Sequence, residues 1–143
     1  MKIAIGADHG GFEYKNKIAE YIKTLGYEVE DFGTNSAKSC DYPVIAKEVS
    51  RAVAEGKFER GILICGTGIG MSITANKVKG VRAALCSDTF SARLTREHNN
   101  SNVLCLGQRV IGLGLALDIV EIWLETEFSN EERHKKRISL IED

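Results

Sequence analysis

The segment Ile62-Leu63-Ile64-Cys65-Gly66-Thr67-Gly68-Ile69-Gly70 puts a thiol and a hydroxyl beside a run of glycines. Three branched aliphatics lead into the cysteine, which reads as a buried strand delivering Cys65 to its C-terminal tip. A helix opening after the glycines would place backbone N–H groups beside that tip. Such groups attract anions and favour a thiolate. The segment therefore supplies a base or nucleophile and an anion cradle.

Other residues able to do chemistry gather after other apolar runs. Ala7-Asp8-His9-Gly10-Gly11 follows the first, Ser87-Asp88 another and Gly107-Gln108-Arg109 the last. Two of the polar segments also have a plain structural reading. Asp8 can cap a helix with His9 as an ordinary loop residue, and His98-Asn99-Asn100 can end a helix, since Asn tolerates left-handed geometry. Their convergence on one end of a parallel sheet is what favours a site.

The glycine loop lacks the Gly-Lys-Ser/Thr of a Walker A motif. Its GxGxG spacing after the third strand departs from the dinucleotide fingerprint, although Asp88 lies 22 residues beyond Gly66, near the distance of a ribose-binding acid. Convergence of several N–H groups on one oxyanion is the better use of these glycines.

The elements that must hold these residues alternate. Strands are expected at Lys2–Gly6, Tyr27–Asp31, Gly61–Cys65, Arg82–Cys86 and Val103–Leu106. Helices are expected at Gly11–Leu25, Tyr42–Glu55, Gly70–Val78, Thr89–Glu97, Gly112–Thr126 and Asn130–Ile141. Phe12, Ile18, Ala19, Ile22 and Leu25 form an apolar stripe, with Gly26 at the C′ position. Pro43 suits the first turn of a helix. The order predicts an α/β fold with a parallel sheet covered on both faces and right-handed crossovers.

The 143 residues fit one domain, 1–143. Net charge is −1 and 43% of residues are apolar, with a mean hydropathy of −0.14. No global field favours nucleic acid or an anionic membrane. The start lacks the apolar run and cleavage site of a signal peptide, and no run reaches membrane-spanning length; the expected location is cytoplasmic. Cys40, Cys65, Cys86 and Cys105 form neither a CxxC pair nor a zinc pattern. Cys86 and Cys105 end apolar stretches and read as small buried hydrophobes.

The last segment, Ser129 to Arg137, opens with a capping signal and turns basic. Lys135 and Lys136 read as a solvated face. A nucleic-acid or targeting patch lacks a matching basic surface elsewhere. Arg133 and Arg137, at i and i+4, can point one way and hold a phosphate.

Gly6-Ala7-Asp8-His9-Gly10-Gly11, Asp41-Tyr42-Pro43, Ile64–Gly70, Ala75-Asn76-Lys77, Arg96–Asn100 and Arg133–Arg137 together resemble the ribose-5-phosphate isomerase type B family, in order and along essentially the whole chain. The family also includes galactose-6-phosphate and allose-6-phosphate isomerases. The resemblance implies a three-layer αβα sandwich around a Rossmann-like five-stranded parallel sheet. It implies reversible interconversion of ribose 5-phosphate and ribulose 5-phosphate, without metal or cofactor.

By the resemblance, Cys65 is the carbon base. Part of the family instead uses a glutamate where this chain has Met71. Thr67 moves a proton between substrate oxygens, and the N–H groups of Gly66, Thr67, Gly68, Ile69 and Gly70 form the anion hole. His98 and Asp8 assist ring opening. His9, Arg109, Arg133 and Arg137 bind phosphate, and Asn99 holds sugar hydroxyls. The resemblance also implies a homodimer or dimer of dimers with shared sites and a C-terminal helix reaching across. The broad apolar face around Trp123 fits such an interface and equally fits a central core helix. Competing readings are a 6-phosphohexose isomerase and a non-catalytic sugar-phosphate or nucleotide sensor.

Overall fold

Near-continuous apolar runs form the centre of the sheet. They are Lys2–Ala7 (β1), Arg60–Cys65 (β3) and Val103–Gly107 (β5), and strands buried on both faces require such runs. The polar Glu28–Asp31 (β2) and the short Ala83–Leu85 (β4) take the edges. The computed structural model describes residues 1–143. Its five strands run in the order β2-β1-β3-β5-β4, every pair parallel.

Helices Phe12–Thr24 (α1), Tyr42–Ala54 (α2), Ile69–Ala75 (α3) and Thr89–Asn99 (α4) connect the strands. Leu113–Glu125 (α5) and Glu132–Glu142 (α6) follow β5. Alternation along the strands makes two cores. Ile3, Ile5, Ile62, Ile64, Leu104 and Leu106 pack with α1, α4 and α5. Ala4, Leu63, Cys65, Val103 and Cys105 pack with α2 and α3. The three-layer αβα architecture is the one expected. No helix is long and apolar enough to cross a membrane.

The chain leaves β1 toward one edge and β3 toward the other, so α1 and α3 diverge onto opposite faces. That switch point opens a crevice at the C-terminal tips. Register aligns Ala7 with Ile64 and Cys65 with Gly107. The loops carrying Asp8, Cys65 and Arg109 are therefore neighbours.

Several boundaries depart from expectation. α4 continues to Asn99, so His98 and Asn99 lie in its last turn, and Asn100 (φ 45°) ends it. α3 stops at Ala75 because Asn76 turns to β4, donating to the Ala83 carbonyl at 3.0 Å and accepting its N–H at 2.8 Å. α6 begins at Glu132, since Ser129 Oγ serves the Glu131 N–H and His134 Nδ1 instead of capping the first turn. Trp123 is fully buried within its own chain, its indole N–H donating to Ser101 Oγ at 2.9 Å. The apolar face around it is core, and the one large apolar residue of α5 that is exposed is Leu115.

Candidate functional site

Parity along β3 aims Cys65 at the α2–α3 side of the sheet, where the glycine turn begins. Gly68 has φ 79°, a left-handed conformation that a side chain would resist. The turn sends the Gly68 N–H back to Cys65 Sγ at 3.0 Å. The Ile69 N–H goes to Thr67 Oγ1 at 3.3 Å. Two of the five amides expected to cradle an oxyanion are thus engaged, one of them on the thiol. Gly107, opposite Cys65, must lack a side chain: a Cβ there would lie 2.6 Å from the Thr67 carbonyl oxygen.

Asp8 is buried and accepts the Gly10 N–H at 2.8 Å on Oδ1. It does not cap α1, whose N-cap is Gly11. The neighbouring His9 accepts the Cys40 N–H on Nδ1 at 3.3 Å. Gln108 and Arg109 continue the sheet's bonding into the loops, donating backbone N–H to the carbonyls of Cys65 and Gly66, each at 2.9 Å. The Arg109 side chain lies across Gly66. An open cavity of about 430 Å³ is lined by Asp8, Tyr42, Cys65, Thr67, Gly70 and Arg109, among others.

A second group forms where α4 ends. The His98 ring stacks on His134 of α6 with centroids 4.3 Å apart. His98 and Asn99 line a separate concavity of about 310 Å³ with Cys86 and Phe90. Arg133 pairs with Glu131 at 2.9 Å, while Arg137 is exposed and carries no ion-pair partner. Burial, then the neighbouring His98 and Arg133, holds the His134 imidazole below its ordinary pKa. The candidate residues therefore fall into two clusters within one chain, Asp8, His9, Cys65–Gly70 and Arg109 in one, His98, Asn99, Arg133 and Arg137 in the other. The largest concavity, about 590 Å³ at the β4 edge, contains Asn99 alone of these residues.

Asp88 is no ribose ligand: its carboxylate caps α4, accepting the Ser91 N–H at 2.6 Å and the Ser91 hydroxyl at 2.9 Å, which hold its pKa down. Cys86 and Cys105 are buried, and desolvation pushes Cys86 up to about 11 and Cys105 further. No three His, Cys, Asp or Glu side chains cluster as a metal site would require. Two residues that lie in motifs carrying the resemblance, but were given no role there, gain a place in the structure. Tyr42 walls the Cys65 cavity with its ring against Gly70, and His134 stacks on His98. Both are contacts between elements far apart in sequence.

Known proteins share this sequence and fold. Residues 3–141 match the Ribose/Galactose Isomerase family. The chain is 49% identical to ribose-5-phosphate isomerase B of Escherichia coli, covering 98% of this chain and 93% of that one. It is 47% identical to D-erythrulose-4-phosphate isomerase of Pectobacterium atrosepticum, over 90% and 85% of the two chains. The structure of ribose-5-phosphate isomerase B from Clostridium thermocellum superposes with a TM-score of 0.97 at 54% identity, covering 99% of this chain and 95% of that one. Agreement in sequence and in fold runs nearly end to end, and the chain belongs to the Ribose/Galactose Isomerase family of sugar-phosphate isomerases.

Proposed function

We propose that the chain interconverts ribose 5-phosphate and ribulose 5-phosphate through an enediolate, with Cys65 as the carbon base. The observation that carries this reading is the Gly68 N–H on Cys65 Sγ at 3.0 Å, facing a cavity that also holds Asp8, Thr67 and Arg109. Met71, where part of the family has a glutamate, is fully buried and has no proton to exchange.

The open-chain aldose loses its C2 proton to the Cys65 thiolate. The C–H electrons form the C1–C2 double bond, and the C1 carbonyl becomes an enediolate oxygen. Thr67 carries a proton from O2 to O1, and the proton held by Cys65 returns to C1. Atoms and electrons balance without an oxidant. Asp8 and His98 exchange the hydroxyl proton that opens the ring. His9, Arg109, Arg133 and Arg137 neutralise the phosphate, where guanidinium forks bond two oxygens at once, and Asn99 holds sugar hydroxyls. The two clusters occupy different concavities of one chain, which supports a site completed between two copies.

Turnover of ribose 5-phosphate, erythrulose 4-phosphate, allose 6-phosphate and galactose 6-phosphate, compared in kcat/KM, tests the substrate. A four-carbon preference is the competing outcome, motivated by the erythrulose-phosphate relative. Binding without turnover of any of the four would leave a sensor. Cys65→Ala is expected to lower kcat by about 10²–10⁴-fold, the range of a positioned general base, with little change in KM. A near-normal kcat removes Cys65 from the chemistry.

A further inference from the structure

Lys15 of α1 is wholly buried, yet it belongs to neither cluster of the site. Its ammonium donates to Asp31 Oδ1 at 2.8 Å, Asp31 Oδ2 at 2.6 Å and Asn35 Oδ1 at 2.5 Å. The side chain has three N–H donors, and all are matched. A buried charge without partners is heavily penalised. The ammonium therefore holds the end of β2 and the turn after it against α1.

That turn reaches the site along two routes. Asp31 Oδ1 also accepts the Gly33 N–H at 2.7 Å. Gly33 and Thr34 in turn exchange backbone bonds with Ala7, each at 2.7 Å, immediately before Asp8 and His9. Further along the same loop, the Cys40 N–H donates to His9 Nδ1 at 3.3 Å. A backbone N–H can only donate, so Nδ1 must keep its lone pair. The neutral ring then carries its proton on Nε2.

We propose that Lys15 is a positioning residue for substrate binding. By clamping Asp31 and Asn35 it seats the loop of residues 32–41 on His9, and so presents His9 as an Nε2–H donor. A phosphate oxygen, which can only accept from such a ring, is the matching ligand. The inference rests on the assignment of His9 to phosphate binding made under Proposed function.

The test uses Lys15→Met, close in length and without charge, and Asn35→Ala, which removes one arm of the clamp. Circular dichroism and thermal melting establish that each is folded; should Lys15→Met fail to fold, Asn35→Ala carries the same readouts. Ring-nitrogen NMR assigns the tautomer of each of the three histidines, with His9→Ala identifying its signals. The expected result is an Nε2–H signature for His9 in the parent protein and a mixture of tautomers in the variants. KM for ribose 5-phosphate and the inhibition constant of inorganic phosphate should rise about 3- to 10-fold, the worth of one ordinary hydrogen bond, at unchanged kcat. A retained Nε2–H signature in the folded variants overturns the positioning role. Mixed tautomers with KM and phosphate inhibition unchanged in both the variants and His9→Ala overturn the assignment of His9 to phosphate, and with it any share of Lys15 in binding.

Discussion

Cys65, Cys86 and Cys105 have the same side chain in different surroundings. Cys65 ends its strand and receives an N–H from Gly68, whereas Cys105 lies mid-strand opposite Leu63 with no exposure. Desolvation disfavours a thiolate at Cys86 and Cys105. Alkaline pH should therefore destabilise the fold. Cys86 ionises at its ordinary value of 9.0 when unfolded but only near 11 when folded, so above pH 9 the unfolded chain binds fewer protons. Its contribution is fully present below pH 9 and is lost as pH rises through about 11. Urea melts between pH 8 and 11 should show stability falling across that window, with the loss reduced in Cys86→Ala. A pH-independent midpoint would contradict the assignment. At pH 8 a thiol reagent should leave Cys86 and Cys105 unmodified until denaturant is added.

Among the helices, α6 buries the fewest residues. Its single buried residue is His134, fixed by Ser129 Oγ at 2.8 Å and stacked on His98 of α4. At its far end Glu142 meets Arg82 at 2.6 Å, an ion pair only partly shielded from water; such pairs contribute about 0–1 kcal/mol. His134 faces His98, Arg133 and Arg137, which oppose its protonation, and Glu131, which favours it. Its folded pKa lies below the ordinary 6.5, so the unfolded state takes up the proton first as pH falls. The docking contribution is present above pH 6.5 and is lost as pH drops through the folded value. Hydrogen exchange, corrected for intrinsic rates, should show protection in α6 falling between pH 7 and 5.5 while β1 and β3 stay protected. Equal protection of α6 at both pH values would show that His134 does not govern its docking.

At the scale of the whole molecule, one chain holds the two halves of the proposed site in different concavities. Cys65, Thr67 and Arg109 line one, and His98 and Asn99 line another. Exposed Leu85, Phe90, Val110 and Leu115 offer apolar surface for a second copy. In a dimer with shared sites, Cys65→Ala and His98→Ala chains are each nearly inactive alone, but their heterodimer contains one pocket with both residues intact. Mixing them should restore part of the activity. Subunit exchange confirmed by native mass spectrometry, without recovered activity, would show that each site belongs to one chain.

The sequence by itself determined the strands, the order of elements and the position of the thiol. Buried parallel strands must be continuous apolar runs, and Cys65 ends one of them, so its place at a strand tip follows from local pattern. Glycines at 66, 68 and 70 announced a turn for the same reason. Tertiary structure decided which loops meet. Strand order, with β5 inserted between β3 and β4, brings Gly107 against Thr67 and Arg109 over Gly66, and no local signal carries that order. It also decided that Trp123 is core, because an apolar helix face looks alike whether sheet or partner covers it. Lys15 is the clearest case. In sequence it is one lysine on an amphipathic helix, and only packing reveals that its charge is buried against Asp31 and Asn35. Periodicity reports which face of an element is apolar, while long-range pairing sets what each polar group meets.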